Sequence, residues 1–148
     1  MNIVKHLEQY KEDHVYFLEP IKNNIMNNGK FIRIVYSTPL FTLNGIYIHF
    51  YINNTYIDKY YNKYKCSFDT SQYKEFIDKV RIFEEGLIKK ICIVDKIPQY
   101  KIYEQFKNGN IKVFSDKSDK IGNHFLLKIA GVWETATEYG LTYKFLII

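Results

Sequence analysis

Three flat, polar-tipped rings stand at alternate positions in Tyr47-Ile48-His49-Phe50-Tyr51. Successive side chains of an extended strand point to opposite faces. Ile46, Ile48, Phe50 and Ile52 therefore form an apolar set for the core, and Tyr47, His49 and Tyr51 form a row on the outer face. Rings on an exposed sheet can stack on unpaired bases, a contact worth roughly 1–3 kcal/mol per base that tolerates any sequence. Phe31, Arg33 and Val35 alternate with Ile32, Ile34 and Tyr36, extending that face on a neighbouring strand and adding the Arg33 guanidinium. Lys59, Lys63 and Lys65, with Lys112, Lys128 and Lys144 on later strands, supply the cations that would neutralise phosphates. The competing explanation is structural. Tyrosine packs well in strands, and lysines on an edge strand prevent unwanted pairing.

Other chemistries find less material. The chain has no glycine-rich phosphate loop, nucleophile elbow, paired-histidine helix or cysteine spacing suited to zinc. Its histidines, His6, His14, His49 and His124, lie far apart in sequence. Glu134 and Glu138 flank one turn and read as solvated carboxylates. Cys66 and Cys92 lie in no motif that would activate a thiol. An enzyme is not expected, nor a metal, a cofactor or a small-molecule substrate.

Composition supports an anionic partner and supplies its own counter-explanation. The 148 residues carry a formal net charge of +5, which suits nucleic acid. Ile, Lys, Asn, Tyr and Phe nevertheless make up more than half of the chain, and Arg occurs only twice. Those five residues have AT-rich codons, so coding bias alone could favour lysine. The length suits one domain, 1–148, with a core that needs no staple. No apolar run approaches a membrane span and the N-terminus lacks a secretory segment, so an intracellular protein with reduced thiols is expected.

The elements that must position these residues are mainly strands. The spacing of Val4, Leu7 and Tyr10 predicts a short helix to about Lys11, followed by a strand over 14–19 that Pro20 stops. Asn27-Asn28-Gly29 predicts a turn before a strand over 31–36. Asn44-Gly45 between apolar runs is a strong hairpin signature. A strand or strand pair is expected over 55–67. Asp69-Thr70-Ser71-Gln72 resembles a capping box, and Tyr73, Phe76, Ile77, Val80, Phe83 and Leu87 make one stripe of a helix over about 71–89. A short buried strand is predicted over 91–94, then a second helix with Pro98 at its first position and Asn108-Gly109 at its end. Strands over 111–114, 125–134 and 141–148 close the chain around a polar loop at 115–123. Trp133 shares the alternation of Phe125, Leu127 and Ile129 and is expected in the core, as are Tyr143 and Phe145. The fold class is α+β and mainly β: a partly open OB-like barrel, or a rolled antiparallel sheet, with one central helix and a short second one.

The segments Phe17-Leu18-Glu19-Pro20-Ile21-Lys22-Asn23-Asn24, Phe31 to Ser37, Leu127 to Thr135 and Tyr139 to Phe145 resemble small proteins of nucleocytoplasmic large DNA viruses. The chain is similar in particular to their podophage-type single-stranded DNA-binding proteins. That resemblance implies an OB-like fold with inserted helices that coats replicating DNA in an infected cell, in the cytoplasmic virus factory or the nucleus, or packaged in the virion. Phage-type members end in an acidic tail with a terminal aromatic residue. This chain ends Lys144-Phe145-Leu146-Ile147-Ile148, so recruitment of partners through such a tail is not expected. The expected function is sequence-tolerant binding of single-stranded DNA or RNA, with Tyr47, His49 and Tyr51 stacking bases beside Arg33, and Lys59, Lys63, Lys65, Lys112 and Lys128 tracking phosphates. A homo-oligomer fits the apolar terminus. The alternative is a non-enzymatic virion or protein-interaction component using the same rings.

Overall fold

The computed structural model describes residues 5–23, 29–53, 56–60, 63–114 and 123–147, without the side chains of Asn23 and Tyr60. In chain order the elements are β1 (Lys5–His6), β2 (Val15–Phe17), β3 (Ile21–Asn23), β4 (Gly29–Ser37), β5 (Thr42–Leu43), β6 (Ile46–Tyr51), β7 (Tyr56–Tyr60) and β8 (Lys63–Ser67). There follow α1 (Lys74–Ile91), β9 (Ile97–Gln99), α2 (Lys101–Asn108), β10 (Asn110–Phe114), β11 (His124–Glu134) and β12 (Glu138–Ile147). The fold is mainly β, with two helices against an open sheet whose strands run β1-β6-β11-β12-β10-β8-β7. β1 and β7 are its two edges. The sheet is mixed rather than purely antiparallel, because β1 joins β6, β10 joins β12 and β9 joins β12 in parallel. β4 changes company along its length. Its first half pairs with β3 and β11, and its second half with β2 and β5. No helix of the described residues is long and apolar enough to cross a membrane.

The core lies between the inner sheet face and the two helices. Ile46, Ile48 and Phe50 from β6, Phe125, Leu127 and Ile129 from β11, and Phe145 from β12 are buried there. Phe50 sits at its centre, stacked on Phe125 with ring centroids 5.4 Å apart and edge-on to Phe106 of α2 and Phe145. Val80, Phe83, Leu87 and Ile88 bring the predicted stripe of α1 onto this cluster. Asp69 does cap, but it caps a single 3-10 turn (Thr70–Gln72) ahead of α1, its carboxylate accepting from the Ser71 N–H at 3.0 Å. Glu84 lies inside the core with no exposure and accepts the backbone N–H groups of Ile102 at 3.1 Å and Tyr103 at 2.8 Å. The first N–H groups of a helix have no partner within it, so Glu84 of α1 caps α2 from outside.

Several local expectations are corrected. Residues 7–9 form a 3-10 turn after β1, not a helix to Lys11. Asn44-Gly45 turns the chain, but β5 pairs with β4 while β6 pairs with β1 and β11, so the flanking strands make no hairpin. Gly45 is required there for another reason. Its φ is +110°, and a Cβ would meet the Ile129 carbonyl oxygen at 2.7 Å. Residues 91–94 are not a buried strand: α1 runs to Ile91, Cys92 ends it in the left-handed region, and Val94 is exposed. Pro98 belongs to β9, and α2 begins three residues later. The Asn27-Asn28 part of the first predicted turn and most of the polar loop at 115–123 fall outside the described residues.

Trp133 is the most instructive displacement. The β11–β12 register slips between Ile129 and Gly131, so Ala130 is an extra residue and the alternation inverts beyond it. Val132 takes the core position, and Trp133 lies half-buried on the other face, over Gly140. The Phe31 ring crosses Gly131 so closely that a Cβ there would come within 2.7 Å of it, and nearer still to the Ile32 carbonyl oxygen. Gly131→Ala is therefore expected to lower the unfolding free energy by about 1–3 kcal/mol, as overpacking does, which urea denaturation would read.

Candidate nucleic-acid interface

The outer face of the main sheet is assembled by register, one row at a time. On β6, Tyr47 and His49 are half-buried and Tyr51 is 48% exposed, while the alternating isoleucines and Phe50 face inward. Tyr47 stands opposite Lys128 of β11, and Lys128 opposite Lys144 of β12. The parallel pairing of Val113 with Phe145 brings Lys112 of β10 into line with Lys144, and Lys112 stands opposite Lys65 of β8. Four lysines on four adjacent strands thus form one transverse row, at the usual strand separation of about 4.8 Å. The row ends at Asp58 of β7, opposite Lys65.

Two residues along each strand lies a second row. It runs from His6 of β1 through His49, Leu126, Leu146 and Phe114 to Lys63 of β8. Ring–cation contacts link neighbours within each row, and one of them, Lys144 with Phe114, joins the two rows. Lys128 Nζ lies 5.6 Å from the Tyr47 ring centroid, and Lys144 Nζ and Lys63 Nζ lie 5.0 and 5.4 Å from that of Phe114. Like charges directly opposite on neighbouring strands destabilise a sheet. Among the described residues no carboxylate lies within 4 Å of the ammonium groups of Lys63, Lys65, Lys112, Lys128 or Lys144. The fold therefore concentrates cations here without neutralising them through close ion pairs among its described side chains.

The other expected residues divide. Arg33 is exposed on β4, opposite Gly131, with its guanidinium carbon 5.9 Å from the Phe31 ring. It lies on the outer face, beyond the bulge and three residues along β11 from Lys128. Lys59 does not belong to this face. It stands opposite the buried Tyr64, with its Nζ 6.0 Å from that ring, because the antiparallel register of β7 with β8 sets Asp58, not Lys59, opposite Lys65. Tyr143 and Phe145 face inward as expected, the Tyr143 hydroxyl accepting from Gln105 Nε2.

Sequence reasoning missed His6, His124, Phe114, Leu126 and Leu146. The histidines that lie far apart in the chain meet on this face. His49 Nε2 is 3.0 Å from His124 Nδ1, and His49 Nδ1 is 3.5 Å from His6 Nδ1. The parity of Phe125, Leu127 and Ile129 could have placed His124, Leu126 and Lys128 outside; nothing local could have set them beside β6. Glu134 pairs with Lys96, and burial pushes the Cys66 thiol up to about 11, away from reactivity. Comparison with protein families, curated proteins and solved structures finds no match.

Proposed function

We propose that the outer sheet face binds single-stranded nucleic acid without reading its sequence and without catalysing a reaction. The observation that carries this reading is the four-lysine row in register with Tyr47, beside a second row that holds the His49 and Phe114 rings. A strand lying across the sheet would set its phosphates along Lys128, Lys144, Lys112 and Lys65, and its bases would stack on Tyr47, Tyr51 and Phe114. Each element has a general energetic warrant: counterion release for the cations and stacking for the rings. In this reading the sheet acts as the open face of an OB-like barrel does. Coating of viral DNA during replication, in the infected cell, rests on the sequence resemblance alone.

Replacing Tyr47 and Tyr51 with Ala is expected to weaken oligo-dT binding by roughly 10–100-fold, the loss of one to two stacked bases. Circular dichroism should show the fold intact, since both rings project away from the core. Parent-like affinity in the double variant would remove the stacking role. One observation favours a second reading: the half-buried Leu146 and Phe114, beside the buried Leu126, put apolar surface in the middle of the same face. A protein partner or a second copy would cover that centre, and such a complex would persist at high salt on a sizing column and ignore oligo-dT.

A further inference from the structure

His6 and His49 end the second row, and His124, which stands opposite Tyr51, meets them from the next row along. His6, His49 and His124 come from β1, β6 and β11, and they touch in a chain with His49 in the middle. The His49 and His124 ring planes are within 12° of each other and their centroids are 5.1 Å apart, with the facing nitrogens at 3.0 Å. Those three values describe rings meeting edge to edge, an N–H of one aimed at the lone pair of the other. A metal would instead need lone pairs converging on a point about 2.0–2.1 Å from each nitrogen, and no metal-holding group of three side chains occurs among the described residues.

A neutral imidazole has one N–H and one bare nitrogen. Neutral His49 therefore donates on one side and accepts on the other, and the chain is satisfied. One added proton is also accommodated, with His49 donating to both neighbours. A second proton sets N–H against N–H, and a contact must open. Among the described residues, the groups facing His49 do not relieve that charge. β1 supplies His6, β11 supplies His124 and Lys128, and β6 supplies Tyr47 and Tyr51. The turn after β1 supplies Glu8, which pairs with Lys79 of α1 at 3.7 Å. Burial first, and then His6 and His124, hold His49 below the ordinary histidine range.

We propose that His6, His49 and His124 form a proton-gated phosphate subsite of the outer face, closed on itself when neutral and open to a phosphodiester when at least two rings are protonated. The inference rests on the strand-binding reading and adds its regulation: acidification adds two or three cations beside Tyr51, where Tyr51 and His124 rings are already 5.0 Å apart. It also gives the cluster a use that a fixed lysine would not.

Two measurements test it, at about pH 5.5 and about pH 7.5, on either side of the ordinary histidine value of about 6.5. In the first, inorganic sulfate, whose charge is constant over this range, is titrated into the free protein while the imidazole carbon-bound proton signals are followed by NMR. Sulfate is expected to move the signals of His6, His49 and His124 at the lower pH and leave them in place at the higher. Signals that stay in place at the lower pH overturn the subsite. In the second, labelled oligo-dT is expected to bind about tenfold tighter or more at the lower pH at constant ionic strength, with a salt dependence steeper by about one to two phosphates. His49→Gln and His124→Gln should lose this response. His14→Gln should keep it, because His14 packs on Tyr36, away from this face. Equal affinity at both pH values, or a full response in His49→Gln and His124→Gln, overturns the subsite and leaves strand binding standing. If oligo-dT binds at neither pH while sulfate still moves the imidazoles at the lower one, the strand-binding reading fails and the anion subsite stands.

Discussion

Exchanging Lys65, Lys112, Lys128 and Lys144 together for Gln is expected to weaken oligo-dT binding by roughly 100–1,000-fold at moderate salt. The plot of log affinity against log salt should flatten by about 3, because each neutralised phosphate contributes about 0.7 to a single-strand slope. The fold should be nearly indifferent. Removing three like-charged contacts between adjacent strands relieves about 0.2–1 kcal/mol each. The lost contacts of Lys128 with Tyr47 and Lys144 with Phe114 remove about 0.5–1 kcal/mol each at an exposed site. Gain and loss largely offset, so urea midpoints of parent and variant should correspond to no more than about 2 kcal/mol of difference in stability. Loss of affinity on an unchanged fold would assign the row to an anionic ligand. A variant with the parent's affinity and slope would leave the row without a phosphate role, and the reading would pass to the protein interface centred on Leu146 and Phe114.

Which face a residue joins was legible only where alternation runs without interruption. Ile46 to Tyr51 is such a run, and so is 125–129, which is why both inner sets were readable from local sequence. The stripe of α1 was readable for the same reason at helical spacing, although Glu84 was hidden: a carboxylate next to Glu85 looks like solvated surface until a second helix presents its N–H groups. Turns and bulges reset the count without a reliable local mark. The parity that Lys59 shares with Lys63 and Lys65 fails between β7 and β8, and that of Trp133 with Phe125 fails across the bulge at Ala130. The Asn44-Gly45 signal was sound as a turn and misleading as a hairpin, because β6 finds better burial between β1 and β11 than beside the two-residue β5.

The candidate site was legible in its parts and not in its assembly. Tyr47, His49, Tyr51, Lys63, Lys65, Lys112 and Lys128 could each be named from their own strands. What makes them a surface is a set of long-range registers, above all the parallel pairing of β10 with β12, for which no local rule exists. The same registers gather His6, His49 and His124 from three separate parts of the chain. Sequence patterns supply residue types and parity; the row order comes from the fold.

Stability should fall as pH rises from about 5 to about 8, and Glu84 is the expected cause. Burial raises its carboxyl from the ordinary 4.5 to about 7, against the opposing effect of the Tyr103 and Ile102 N–H groups. The fold thus holds a proton that the unfolded chain has already released. That contribution is complete below about pH 4.5 and is lost as pH climbs through about 7, for a total of about 3 kcal/mol at 1.36 kcal/mol per pH unit. Glu84→Gln keeps an acceptor for the start of α2 but cannot ionise, so its urea midpoint should lack this fall over the same window. The histidine chain pulls the other way. His49 is held below the ordinary range, so the fold disfavours its proton and loses stability as pH falls through about 6.5. The parent's curve contains both effects, but Glu84 lies among the helices on the inner side of the sheet and His49 lies on the outer face. Distant sites add independently, so the parent curve minus the Glu84→Gln curve isolates the carboxylate. If that difference does not grow between pH 5 and 8, Glu84 is not the buried acid that links the docking of α2 to pH.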